Sequence, residues 1–175
     1  MKYILIITFF LLAYTADKGH YYIANQKKAD KSFSKIWEDG APTLSFLAFT
    51  KAELDKADVK NVELYKLISS TKQDMGFVYF TEAPSKVETF TYMIIFNPDL
   101  SIMHTEVLKY KENYGAEICS KRFLKQFIGK KNGLNLEFEQ DIDGISGATI
   151  SSRSIIRGVK IASRNIVKLK ENNLI

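Results

Sequence analysis

Asp143-Gly144-Ile145-Ser146-Gly147-Ala148-Thr149-Ile150-Ser151-Ser152 is a glycine-rich turn that runs directly into the longest amphipathic pattern of the chain. Gly144 and Gly147 let the backbone turn sharply, and Gly147-Ala148 keeps side chains small where another molecule would approach the main chain. Ser146, Thr149, Ser151 and Ser152 crowd hydroxyls into the helix entrance. There, amides without intrahelical partners and the positive end of the helix dipole favour an anion. Two readings fit these residues: an ordinary capped helix start, with Ser146 as the candidate cap, and a start that holds a phosphate. The nucleotide motifs of similar appearance fit less well. A P-loop requires Gly-x-x-x-x-Gly-Lys-Ser/Thr and no Lys stands here, and Gly-x-Ser-x-Gly is absent.

Downstream, Ile155, Val159, Ala162, Ile166 and Leu169 recur at alternating intervals of four and three residues, which places them on one helix face to be buried. Arg153, Arg157, Lys160, Arg164 and Lys168 take the other side, a solvated face. Arg153 stands apart because it follows Thr149 by four residues and could pair with a phosphate there.

Upstream, the segments 64–70, 76–81, 89–96 and 102–110 are rich in Val, Ile, Tyr, Phe and Thr and read as strands. Asn97-Pro98-Asp99 is a turn signal, so 89–96 and 102–110 should pair as a hairpin and the sheet should be mainly antiparallel. After a polar turn at 111–115, Ser120 is placed to cap a helix over 121–128 whose apolar face is Phe123, Leu124, Phe127 and Ile128, with Gly129 as its stop. Nearer the start, Phe33, Ile36 and Trp37 have helical spacing over 30–38, 44–49 is a short apolar run, and 51–65 stays open between helix, turn and loop. The pattern predicts an α+β fold, an antiparallel sheet with helices against one face and the glycine-rich loop at the start of the C-terminal helix.

A chain of 175 residues, 46% hydrophobic and 13% aromatic, can bury one sizeable core. The net charge of +5 permits acidic partners, but the Lys and Arg are spread along the chain without a nucleic-acid recognition motif, so no nucleic-acid partner is expected. Lys2 followed by an apolar run from Tyr3 to Ala16, broken only by Thr8 and Thr15, reads as a secretory signal peptide over 1–16. A membrane anchor running on through Tyr21-Tyr22-Ile23 comes second, because it would bury Asp17 and Lys18. Cys119 is the single cysteine, so no internal disulfide exists, and His20 and His104 stand in no metal-ligand spacing; no metal and no catalytic residue are expected.

The segment from Asp143 to Thr149 resembles Asp-x-x-Ser/Thr-Gly-Ala-Thr/Ser, the flavinylation motif of the FMN-binding domain family. That family includes extracytoplasmic flavin-carrying subunits of the sodium-pumping NADH:quinone reductase and of the Rnf electron-transport complex. The resemblance implies FMN joined through its phosphate to the Thr149 hydroxyl by a transferase that splits FAD, with electrons passed between membrane or extracytoplasmic redox partners. It implies an exported, periplasmic location, with the protein free or membrane-anchored. With the motif, the flavin-site candidates are Asp143, Ser146, Gly147, Ala148 and Thr149, joined by the neighbouring Ile150 and Ser151 and, by its proximity to Thr149, Arg153. The related subunits also carry a Glu-Thr-Pro-Gly turn; here Glu112 and Gly115 match it, while Asn113 and Tyr114 replace Thr and Pro. Glu112 therefore reads either as a flavin-site residue or as a solvated turn carboxylate. The resemblance runs from about Gly76 to Val167, so 76–175 is the expected FMN-binding region and 17–75 an unassigned N-terminal part of the domain. An electron-transfer module is expected ahead of a free-standing flavin-dependent reductase, for which no substrate acid stands out, and of a binding domain without cofactor.

Overall fold

Five strands form one antiparallel sheet in chain order: β1 (Thr43–Phe46), β2 (Glu63–Ile68), β3 (Asp74–Pro84), β4 (Thr89–Phe96) and β5 (Ile102–Lys109). The helices are α1 (His20–Ile36), α2 (Lys51–Lys56), α3 (Lys121–Leu124, continued by a 3-10 turn over Lys125–Phe127) and α4 (Thr149–Glu171). The computed structural model describes residues 19–131 and 135–175. The 1–16 segment read as a signal peptide or anchor lies outside the described residues, and no described helix is long and apolar enough to cross a membrane.

Side chains alternate across the central strands, and both faces are apolar. Tyr79, Tyr92, Ile94 and Phe96 point to one face, where they pack with Ile155, Val159, Ala162 and Ile166 of α4. Val78, Phe80, Met93 and Ile95 point to the other, against Tyr22, Ala29 and Phe33 of α1. The expectation of helices on one face only is therefore corrected: α1 and α4 cover opposite faces, because the β3–β4 core of the sheet is hydrophobic at odd and even positions alike. The α4 face is as predicted. Ile155, Val159, Ile166 and Leu169 have no exposed surface, and each such burial stabilises the fold by about 1.5–3 kcal/mol relative to exposure. The opposite side of α4 is not merely solvated, since Lys160 pairs with Glu137 at 2.8 Å and Lys168 with Asp58 at 2.5 Å.

The predicted hairpin pairs β4 with β5, Ile94 opposite Thr105. Other elements differ from the expectation for identifiable reasons. Helix α1 begins at His20, ten residues before the 30–38 segment read as helical, because its first turn is anchored by Glu63 from β2. The ambiguous 51–65 stretch resolves into α2, closed by a capping box between Thr50 and Glu53, followed by the start of β2. Ser120 caps α3 as predicted, accepting from the Phe123 amide at 3.3 Å. Ile128, assigned to the buried face of that helix, is instead 51% exposed, because the last turn tightens to 3-10 and then leaves helical geometry at Ile128 itself.

Candidate functional site

The glycine-rich loop is tied to the body from below. Ile142 and Ala148 are buried in the α4-side core, and Ile145 packs against it. The Asp143 amide donates to Gln126 Oε1 at 2.8 Å, so Asp143 is held here through its backbone while its side chain is exposed. The Phe138 ring rests on Gly144, where an added Cβ would come within 2.6 Å of it. Gly147 has φ of +79° with nothing within 4 Å of a would-be Cβ: the conformation favours glycine, and the space beside it is open.

Helix α4 then starts without a side-chain cap. Its N-cap position is Ala148, which corrects the reading of Ser146 as the cap; Ser146 lies two residues too early and is exposed. The first intrahelical bond runs from the Ser152 amide to the Ala148 carbonyl at 2.9 Å. The amides of Thr149, Ile150 and Ser151 are thus the open donors that a helix start offers to an anion.

The hydroxyls at this start sort by burial. Thr149 is exposed, whereas Ser151 and Ser152 are buried. Ser151 Oγ sits 2.7 Å from Ser85 Oγ and 3.0 Å from Tyr110 Oη, and the Tyr110 hydroxyl donates to the Tyr114 carbonyl at 2.7 Å. This cluster binds the β3–β4 loop, the 110–115 turn and the first turn of α4 together. Ser151 is therefore a structural hydroxyl, and the Ser152 Oγ is sealed in the interior without a partner.

The 110–115 turn forms the facing wall. Glu112 is no free carboxylate: its Oε1 accepts from the amides of Val87 and Glu88, both at 2.9 Å. The Glu88 and then the Val87 amide bond hold its carboxyl below the ordinary carboxylate range. Gly115 has φ of +77°, and a Cβ there would meet Tyr110 Oη at 2.8 Å and Ala148 Cβ at 3.4 Å, so the turn approaches α4 as closely as a residue without a side chain allows.

Two open cavities result. One, of about 260 Å³, is lined by Ser85, Lys86, Glu112, Tyr114, Gly115 and residues 147–151. The other, of about 520 Å³, is lined by Phe138, Glu139, residues 143–146 and Thr149. Thr149 is the one residue common to both linings. The structure thus gathers Glu112, Gly115, Gly147, Ala148, Thr149, Ile150 and Ser151 around the first cavity, and Asp143 and Ser146 with Thr149 around the second. Arg153 lines neither; its guanidinium lies 4.8 Å from the centre of the Phe138 ring, a cation–π contact beside the second cavity. Sequence reasoning missed Ser85, Lys86, Tyr110, Gln126 and Phe138. None belongs to a motif, and their partners lie from 6 residues away, for Phe138 and Gly144, to 66, for Ser85 and Ser151.

Fold and site together define an α+β domain with an uncapped helix start and an exposed threonine hydroxyl at it. Residues 87–164 match the family model described as the FMN-binding domain, so the family read from the Asp143–Thr149 motif is the one this segment carries. Among solved structures the chain is similar to that of Shewanella oneidensis NqrC, at 16% identity and a TM-score of 0.50, over 69% of this chain and 68% of that one; at that identity the likeness concerns the fold. No curated protein matches the chain. The residues present fit FMN. Open amides and Lys86 suit its phosphate, Thr149 offers a hydroxyl for an ester, and exposed Tyr114 and Ile150 offer apolar surface at the cavity that Thr149 borders.

Proposed function

We propose that Thr149 carries FMN through a phosphoester and that the domain passes electrons between redox partners outside the cytoplasm. The observation that carries this reading is the position of Thr149: exposed, at the uncapped start of α4, shared by both cavities, inside the segment that matches the FMN-binding domain. An isoalloxazine bound there supplies the redox chemistry. The chain's own part is to present and to hold. Gly147 and Ala148 keep the approach to the Thr149 hydroxyl open for a transferase that splits FAD. The first-turn amides receive the phosphate charge, and the Ser85–Tyr110–Ser151 cluster keeps the cavity wall in place. Asp143, Ser146, Ile150 and Arg153 border the attachment point, while Glu112 acts by fixing the β3–β4 loop. Lys2 and the apolar run behind it support export, with the protein released or retained at the membrane. The resemblance of the Asp143–Thr149 motif to the flavinylation motif supports membrane or extracytoplasmic redox partners, and the NqrC-like fold is consistent with them. The FMN-binding region of this reading is 76–175, and residues 19–75 add β1 and β2 to the same sheet.

Thr149→Val keeps the β-branched shape and removes the only side-chain oxygen. After export alongside the transferase, the wild-type chain should gain the mass of FMN less water and fluoresce on a denaturing gel, and the variant should do neither while remaining folded. Thr149→Ser should retain flavin. A folded Thr149→Val chain that still carries covalent flavin refutes the assignment, and colourless wild-type protein favours a binding domain without cofactor.

A further inference from the structure

A second cleft, of about 470 Å³, runs along the outer edge of β5, between that strand, the C-terminal half of α1 and the segment containing α3. It is separated from the Thr149 loop by the α3 segment, whose Gln126 holds Asp143 on its other side. Its floor and lip are apolar, with Ile36, Leu124 and the half-exposed Ile128. Around them stand Lys35, Lys121 and Lys125. None of these three has an ion-pair partner among the described residues, whereas Lys66, Lys111, Lys131, Lys160 and Lys168 all do. The carboxylate bordering the cleft, Glu106, is already in contact with His104 Nε2 at 3.3 Å. Unpaired cations around apolar walls make this cleft suited to a molecule with a charged end and an apolar body. The volume falls within the range of small-ligand sites.

We propose that this cleft binds a small amphipathic anion, an acid group on an apolar body, with Lys35, Lys121 and Lys125 around the acid and Ile36, Leu124 and Ile128 against the body. The proposal does not depend on flavin at Thr149. Cys119, the only cysteine of the chain, lines the same cleft half-buried and serves as a native reporter. The test is the rate at which iodoacetamide alkylates Cys119 in the full chain, measured with 4-phenylbutyrate or with 4-phenylbutanol present. The acid should protect saturably, slowing alkylation about tenfold at about ten times its Kd, and the alcohol should protect far less. A Lys121→Glu, Lys125→Glu double variant should lose the protection by the acid. The same pattern is expected in the Thr149→Val chain, which keeps this test apart from the flavin reading. Absence of saturable protection, equal protection by acid and alcohol, or full protection in the charge-reversed variant would each overturn the proposal.

Discussion

Helices α1 and α4 cover opposite faces of one sheet, and their first turns handle the same electrostatic problem in opposite ways. At the start of α1 the amides of Tyr21 and Tyr22 donate to the two carboxylate oxygens of Glu63, each at 2.7 Å, and the Gly19 amide donates to Tyr65 Oη at 2.6 Å. Glu63 is 6% exposed and stands on β2, so the protein supplies its own anion to the helix dipole from inside the core. At the start of α4 no side chain caps the helix, the residue in the cap position is an alanine, and the amides open onto two cavities. The start of α1 is closed by the protein itself, whereas the start of α4, beside an exposed hydroxyl, leaves its amides to water or to an anion from outside.

The comparison can be broken most completely at Thr149, where loss of one oxygen should abolish covalent flavin altogether without unfolding the chain. At the other helix the loss should be structural. Glu63→Ala removes the acceptor of one buried and one partly buried amide and should cost about 1.5–3 kcal/mol in denaturant unfolding, with no bearing on the Thr149 hydroxyl. Glu63→Gln, which keeps an acceptor, should recover much of that cost, and the pair of variants separates the hydrogen bonds from the charge. Unaltered stability in Glu63→Ala would show that the closed start of α1 is no more than a surface contact.

Glu63 also gives the comparison a pH signature. Burial pushes its carboxyl above the ordinary value of 4.5, and the Tyr21 and Tyr22 amide bonds only partly offset this. The folded state therefore holds the proton more tightly than the unfolded chain. The contribution of Glu63 to stability is greatest below that ordinary value and diminishes as pH rises through its raised folded value. The stability difference between wild type and Glu63→Gln should shift against wild type from the acid side toward neutrality. Glu112, held low by the Glu88 and Val87 amides, has the opposite sign: its contribution is present above the ordinary carboxylate value and lost as pH falls through its lowered one. Unfolding curves of the Glu63→Gln and Glu112→Gln chains across the acid range should diverge from wild type in opposite directions.

Smaller effects test the wall and the loop. Tyr110→Phe removes the hydroxyl that joins Ser151, Ser85 and the Tyr114 carbonyl and should cost about 1 kcal/mol. In a flavinylated chain it should also alter the flavin absorption, because the 110–115 turn is freed to move; an unchanged spectrum would place that turn away from the flavin. Ser146→Ala should change stability by less than about 0.5 kcal/mol, as expected of an exposed residue that caps nothing. A loss near 1 kcal/mol there would restore Ser146 as a cap and weaken the contrast between the two helix starts.

Much of the architecture is written in local pattern. The 89–96 strand, the Asn97-Pro98-Asp99 turn and the strand after it are legible because β-branched and aromatic residues, then turn formers, alternate over a few positions. Helix α4 is legible because its buried stripe keeps a spacing of three and four through five residues, and the loop because a motif compresses its chemistry into seven positions. What local pattern could not decide is whatever depends on a partner distant in sequence. The start of α1 lies where Glu63, more than 40 residues on, meets its amides. The use of both sheet faces follows from which helix each side of β3 and β4 finds. The sorting of the entrance hydroxyls was equally invisible: Thr149, Ser151 and Ser152 look alike in the sequence, and only the approach of Ser85 from 66 residues away and of Tyr110 from 41 commits Ser151 to the interior and leaves Thr149 facing solvent. Residue spacing along one helix sets which side chains share a face, but which face becomes the inside is set by what folds against it.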